Sequence, residues 1–270
     1  MTDLRRSAWA IPPRNVDAWG CAVFRWNLTS SAFSDAVVCR LPPAVRTYVI
    51  HADGRIIKRI PRTVTQGYEN TIAYVYVDES GMRHELGSYR YRQVQRYAPG
   101  NIEIDGHSWI IDLRTVAATW RSGELEYGFS LDTTRPFIGD VALASLFGAM
   151  LEVGYNDIVC TGFSTEEGRT AAGSTSHVNG TNGDFRYLRN DGLVGALHLA
   201  GTHAQPDLLD EARQEAFIAA LDRFGWGSLL SYRYLRNGQV RLLEGTRHFA
   251  GHHHHLHIQG YDPTVSEVYE

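Results

Sequence analysis

The hydropathy pattern of the chain changes between residues 122 and 137, and this change divides it into two parts. Up to about residue 125, apolar and polar residues alternate with the period of a β-strand, as in Thr47–Ile50 and Ala73–Val77. Asp53-Gly54 and Ser80-Gly81 supply turns of the kind that join antiparallel strands. The pattern therefore predicts a β-rich domain over residues 1–125.

Helical periodicity begins after this boundary. Apolar residues recur every three to four positions from Val141 to Val153, and a second helix is predicted from about Asp207 to Phe224. Strands are predicted at Asp157–Cys160 and, near the end of the chain, at His253–Gln259. Helices and strands alternate here without the regular rhythm of a parallel βαβ sheet. Residues 126–270 are therefore predicted to form an α+β domain.

Composition and charge restrict the classes of partner. The formal net charge is -4, and the arginines are scattered along the chain, with Lys58 the single lysine. Such a chain has no long-range attraction for nucleic acid or for an anionic membrane, and it contains no apolar segment of membrane-spanning length. The N-terminus, Met1–Ser7, lacks the apolar core of a secretory signal. The sequence therefore predicts synthesis in the cytoplasm, with no nucleic-acid or membrane partner.

Two weaker signals do not define a site. Cys21, Cys39 and Cys160 lack metal-type spacing; a Cys21–Cys39 disulfide stays open, although three buried thiols are favoured. His84-Glu85 begins like a helix-borne zinc motif, but Ser88 stands where the second histidine would be. Neither group is assigned a function.

A histidine-rich run, Gly251–Ile258, is the strongest functional signal. Leu256 interrupts the run and residues of ordinary composition follow it, so it lacks the form of a terminal expression tag. On a strand, His255 and His257 would point to the same face with their Cα atoms about 7 Å apart. Leu256 and Ile258 would then point into the core. Two imidazoles on one face can converge on a small site.

A second group of ligand-type residues lies in Ser176–Asp184. Gly180 and Gly183 permit the tight turn that would bring His177 close to the carboxylate of Asp184. Together with the downstream histidine pair, this turn supplies two imidazoles and one carboxylate. That donor set leaves a tetrahedral zinc ion one open position for water. The two stretches are therefore predicted to form one metal site.

This arrangement, His177-x-x-Gly180-x-x-x-Asp184 followed by His255-x-His257, resembles the LAS metallopeptidases. That group includes lysostaphin-type enzymes, D-Ala-D-Ala peptidases and the hedgehog signalling domain. The pattern His252-x-x-His255-x-His257 is most similar to its penicillin-insensitive murein endopeptidases. The resemblance covers about residues 138–260 and implies a LAS-like fold for the C-terminal domain, an antiparallel sheet with flanking helices.

The resemblance also implies roles for individual side chains. The zinc ligands would be His177, Asp184 and His257. His255 would act on the attacking water, and His252 would be a further active-site histidine. His253 has the same strand parity and could replace one of them if the register differs.

A zinc peptidase that cleaves stem or cross-link peptides of peptidoglycan is the function that the resemblance implies. Without a standard signal, it would reach the cell wall or periplasm by phage lysis, or through a secretion system as an antibacterial effector with an immunity protein in the producer. The β-rich part would then be an accessory or docking domain. Two alternatives stay open: a non-catalytic, zinc-stabilised binding module of the hedgehog type, and a cupin-type metal oxygenase.

Overall fold

The computed structural model describes residues 22–24, 36–38, 42–171 and 174–270. Cys21 and Cys39 lie outside these residues, whereas Cys160 is a buried free thiol. The chain divides into two compact units, Met1–Ala44 and Val45–Glu270. In the first unit, two short strands form an antiparallel pair. They are β1 (Ala22–Phe24) and β2 (Ala36–Val38).

The second unit carries two large sheets and two α-helices in its described part. Its strands, in chain order, are β3 (Arg46–His51), β4 (Ile56–Ile60), β5 (Thr71–Val77), β6 (Arg83–Ala98), β7 (Ile102–Asp112), β8 (Thr119–Ser122), β9 (Leu125–Leu131), β10 (Phe137–Gly139), β11 (Ile158–Gly162), β12 (Gly183–Phe185), β13 (Trp226–Ser231), β14 (Tyr234–Arg236), β15 (Gln239–Arg241), β16 (Thr246–His248), β17 (Leu256–Tyr261) and β18 (Val265–Tyr269). The helices are α1 (Asp140–Val153) and α2 (Glu211–Arg223). Short 3-10 turns are Leu113–Thr115, Pro206–Leu208 and Ala250–His252.

The first large sheet has the strand order β10-β7-β6-β5-β3-β4-β18. Consecutive residues of β3 and β5 are buried, Tyr48–Ile50 and Tyr74–Tyr76, so both faces of these central strands are covered and burial does not follow the period-two pattern. Most neighbouring strands are antiparallel, but β3 is parallel to β5 and β4 is parallel to β18. The last strand of the chain thus completes a sheet that is built mainly from its first half.

The second large sheet has the strand order β16-β13-β17-β12-β11-β9-β8. It is also mixed, because β9 is parallel to β11 and β13 is parallel to β16. The neighbouring strands β12 and β17 lie in the middle of this sheet and are antiparallel. A separate hairpin consists of β14 and β15. The central pair positions the candidate site.

The two predicted helices are present. Helix α1 is buried from Ala142 to Leu151, which explains why its apolar residues are not confined to one face. Helix α2 begins later than predicted, because Asp210 caps it by accepting a hydrogen bond from the Arg213 amide. The residues before this cap form the 3-10 turn Pro206–Leu208.

One apolar core connects the two sheets. The ring of Phe147 on α1 lies 5.4 Å from that of Tyr74 on β5 and 5.3 Å from that of Tyr127 on β9. Residues before and after position 125 therefore share a core around this helix. No helix among the described residues is long and apolar enough to cross a membrane.

The predicted α+β class, with flanking helices on an antiparallel sheet, is wrong. Strands make up 42% of the described residues and helices 16%, and both large sheets mix parallel and antiparallel neighbours. The error comes from strand pairing. The parallel pair of β4 with β18 connects strands far apart in the chain, and apolar periodicity within each strand does not specify its neighbour.

Candidate metal centre

The pairing of β12 with β17 places Asp184 directly opposite His257. Side chains at opposed positions of antiparallel strands lie on the same face. The two side chains accordingly meet: His257 Nδ1 is 2.7 Å from Asp184 Oδ1. Both residues are buried, with 4% of His257 and 7% of Asp184 exposed. Two of the predicted ligands are thus fixed by sheet register.

The third predicted ligand, His177, comes from the loop before β12. Asn179 and Gly180 in this loop have positive φ values of 59° and 67°. A Cβ at position 180 would lie 2.4 Å from the backbone nitrogen of Gly139, so only glycine fits there. The side chain of Asn179 bonds to the backbone N–H and carbonyl of Tyr97. Hydrogen bonds of Asn179 and the close backbone contact of Gly180 therefore fix the position of the loop.

This loop brings His177 Nε2 to 3.1 Å from Asp184 Oδ2. One ligand atom each from His177, Asp184 and His257 then lies within 4.8 Å of the other two. All three residues are buried. The structure therefore brings the predicted ligand set together, and this cluster could bind a metal ion.

The outer hydrogen bonds of the two imidazoles direct their other nitrogens at Asp184. His177 Nδ1 donates to the backbone carbonyl of Asn182 at 3.1 Å, so Nε2 is the nitrogen that faces Asp184 and that would bind a cation after losing its proton. His257 Nε2 faces Gln259 Oε1 at 3.3 Å, so a proton on Nε2 leaves Nδ1 for a metal. Outer partners of this kind orient metal-binding histidines. The donor set thus fits a divalent cation between the carboxylate and the two rings.

Imidazole nitrogens and a guanidinium surround the carboxylate of Asp184. Burial by itself would raise its pKa, but hydrogen bonds from His177 and His257 and the charges of nearby histidines hold the pKa of Asp184 well below its usual range. Arg135 Nη2 also lies 3.2 Å from Asp184 Oδ2. The carboxylate is therefore ionised, as a metal ligand must be.

His255 also reaches the carboxylate, although it is not on a strand. The predicted strand His253–Gln259 is wrong at its start: β17 begins at Leu256, and His255 lies in the preceding bend. Its Nε2 is 3.5 Å from Asp184 Oδ1. Burial lowers the pKa of His255 to about 3, so its ring is uncharged at neutral pH. A neutral ring can accept a hydrogen bond from water.

His252 completes the inner group of rings. Its centroid lies 4.6 Å from that of His255 and 5.1 Å from that of His257. Burial, followed by the charge of His257, lowers the pKa of His252 to about 4. Both of its ring nitrogens are buried, and neither has a hydrogen-bond partner among the described residues. Such nitrogens can bind a water molecule or a polar group of a substrate.

His253 points away from the metal centre. Its ring contacts those of His198, His254 and Tyr232. His253 could have replaced one of the inner histidines if the strand register had differed, but in the structure it does not. The run divides into an inner group, formed by His252, His255 and His257, and an outer group, formed by His253 and His254.

Arg135 and Gln259 were not predicted. Arg135 follows β9 in the sequence and reaches Asp184 because Gly162 leaves space for it: a Cβ at position 162 would lie 2.9 Å from Arg135 Nη2. A glycine and an arginine separated by this distance in the sequence give no recognisable motif. Gln259 could have been found from its position two residues after His257, on the same strand face.

Comparisons of the chain with protein-family models, with curated proteins and with solved structures each find no match. The resemblance to the LAS metallopeptidases therefore stays a prediction from the spacing of the histidines and the aspartate.

Proposed function

We propose that the chain is a zinc-dependent peptidase that acts on peptidoglycan peptides. The observation that carries the proposal is the convergence of His177, Asp184 and His257 in one buried cluster. Two further imidazoles, His252 and His255, lie against this cluster. The combination of a three-residue ligand set with additional neutral bases is typical of a hydrolytic metal site.

Zinc is the cation that we propose. Two imidazoles and one carboxylate suit a borderline ion such as zinc, whereas magnesium and calcium prefer oxygen ligands. Three protein ligands also leave a coordination position for water or substrate, as in catalytic rather than structural zinc sites. The hydrogen bonds from His177 to the Asn182 carbonyl and from His257 toward Gln259 support this assignment.

When bound, zinc would supply Lewis acidity, which would lower the pKa of a water molecule to about 7 and polarise the carbonyl of the scissile amide. The side chains would handle the proton. His255, uncharged and close to Asp184, would accept the proton of the attacking water and return it to the leaving amine. His252 would bind a polar group of the substrate through a free ring nitrogen. Arg135 would keep Asp184 ionised and oriented.

Peptidoglycan is proposed as the substrate from the sequence resemblance. The action of the enzyme at the cell wall, after secretion as an effector or release by phage lysis, belongs to the same proposal, as does an immunity protein in a producing cell. Phe249, which is 53% exposed, lies against His252 with ring centroids 4.7 Å apart. An exposed aromatic ring beside the site is suited to contact with a substrate.

The test is digestion of purified peptidoglycan with zinc-loaded protein, followed by mass spectrometry of the soluble muropeptides. We expect new amine and carboxyl termini within the stem or cross-link peptides, which identify the cleaved bond. His257→Ala should release none, because a ligand is lost. The control His107→Ala changes an exposed histidine on β7 and should cleave like the wild type.

Two results would contradict the proposal. Bound zinc without any cleavage would favour the non-catalytic binding module. Cleavage that persists in His257→Ala would show that the cluster is not the catalytic site.

A further inference from the structure

Three histidines that are not ligands of the metal centre lie together beside it, and the ring of one of them, His254, contacts that of His255 at 4.5 Å. The ring centroids of His198 and His253 are 5.7 Å apart, those of His253 and His254 4.7 Å, and those of His198 and His254 5.9 Å. Three imidazoles that bind one zinc ion at about 2.1 Å have ring centroids about 5 Å apart. We propose that these three side chains form a second metal site for a divalent cation of the zinc class.

Two distant segments build this outer site. The Leu199 amide donates to the carbonyl of His253 at 2.7 Å, and the Gln205 amide donates to the carbonyl of His198 at 2.8 Å. Leu197 and Leu199, which flank His198, are 0% and 2% exposed. His198 is therefore held against the run by backbone hydrogen bonds and by two apolar anchors. A flexible string of histidines would have no such fixed third donor.

The nitrogens of the outer site are free to bind a cation. Within the described part of the chain, no hydrogen bond to another residue occupies the ring nitrogens of His198, His253 or His254. His248 differs, because its Nδ1 accepts a hydrogen bond from the Arg233 amide at 2.9 Å. His254 is exposed and the other two outer rings are partly buried, so a cation can enter from solvent.

The outer site needs one adjustment to bind an ion. The rings of His198 and His254 lie nearly parallel, 23° apart, and the three outer imidazoles do not bring one nitrogen each within 4.8 Å of the other two, as the metal centre does, so one ring must turn to bind a shared ion. The exposed side chain of His254 can make this rotation. Three imidazoles without a carboxylate select zinc, copper or nickel over magnesium and calcium. Without oriented outer partners, the site should bind more weakly than the metal centre.

Metal counting tests the second site independently of catalysis. Protein freed of metal with a chelator would be titrated with zinc sulfate, and bound zinc would be counted after equilibrium dialysis. We expect two ions in the wild type and one in His198→Ala and in His254→Ala. His203→Ala is the matched control, because His203 is an exposed histidine of the same loop, and it should keep two ions. Circular dichroism would verify that each variant is folded.

The outcomes separate this proposal from the proposed function. Two ions in a folded His198→Ala variant would show that the histidine run chelates zinc by itself, and would overturn the second site; if that variant does not fold, His254→Ala decides in the same way. A single ion in the wild type that persists in both variants would overturn it too. A single ion that is lost in His198→Ala but kept in Asp184→Asn would support the outer site and reject the metal centre.

Discussion

Asp184 and Asp140 are two enclosed carboxylates with opposite electrostatic surroundings. Imidazoles and the Arg135 guanidinium face Asp184, and the hydrogen bonds from His177 and His257 hold its pKa well below the usual range despite its burial. Asp140 accepts a hydrogen bond from the Tyr48 hydroxyl at 2.6 Å, but tyrosine carries no positive charge. Burial raises the pKa of Asp140, although the Tyr48 hydrogen bond and the charge of Lys58 oppose this shift.

The difference lies in what distant segments bring to each carboxylate. Each aspartate directly follows a strand glycine, Gly139 at the end of β10 and Gly183 at the start of β12, so the local sequences look alike. His177 and His257 place Asp184 in a cluster that could bind a metal ion, whereas the hydroxyls of Tyr48 and Tyr74 bond to Asp140. A Gly-Asp dipeptide alone therefore does not predict a metal ligand, because the side chains that other segments place around the carboxylate determine its role.

Removal of each carboxylate in turn gives the largest expected contrast. Asp184→Asn removes an anionic ligand, so we expect loss of the ion from the metal centre and a fall of peptidoglycan cleavage to background. Asp140→Asn makes the same chemical change outside that site, and this variant should keep both the bound ion and peptidoglycan cleavage. Bound zinc and released muropeptides would be measured for the two variants side by side. Equal losses in both variants would refute the contrast.

His255→Ala should separate binding from catalysis. His255 lies 3.5 Å from Asp184 but is not one of the three clustered ligands. We therefore expect the variant to retain its zinc while the cleavage rate falls by about 10²–10⁴-fold, the usual effect of losing a general acid–base group. The measurement pairs zinc content with the initial rate of muropeptide release. A variant that keeps its zinc and the full rate would remove His255 from the mechanism.

Sequence patterns predicted local features better than long-range ones. Helices α1 and α2 were found because their periodicity and end signals are local. The pairing of β9 with β11 and of β4 with β18 was not found, since strand neighbours are set by tertiary packing. In the site, the His177–Asp184 turn was readable because its glycines mark it. Arg135 was not, because only the space at Gly162 brings it to Asp184.

Gln259→Leu should weaken the metal centre without removing a ligand. Gln259 Oε1 faces His257 Nε2 at 3.3 Å, and loss of such an outer partner typically lowers metal affinity by about 10–100-fold. Gln93→Leu makes the same change at an exposed position on β6 and is the control. Competition with a chromophoric zinc chelator would measure both affinities. An unchanged affinity in Gln259→Leu would mean that the orientation of His257 depends on β17 alone.

Asp140→Asn gives the smallest effect, which should appear in stability as a function of pH. The pKa of Asp140 is higher in the folded protein than in the unfolded chain, so ionisation of this carboxyl opposes folding. The free energy of unfolding of the wild type therefore falls as pH rises from the unfolded pKa, about 3.9, to the higher folded pKa. The loss is about 1.4 kcal/mol for each unit between these two pKa values.

Asparagine does not ionise and can still accept the Tyr48 hydrogen bond. Urea denaturation of metal-free protein should therefore show that the free energy of unfolding of the variant increases relative to that of the wild type from pH 4 to pH 8. A constant difference across this range would mean that Asp140 ionises as easily in the folded protein as in the unfolded chain.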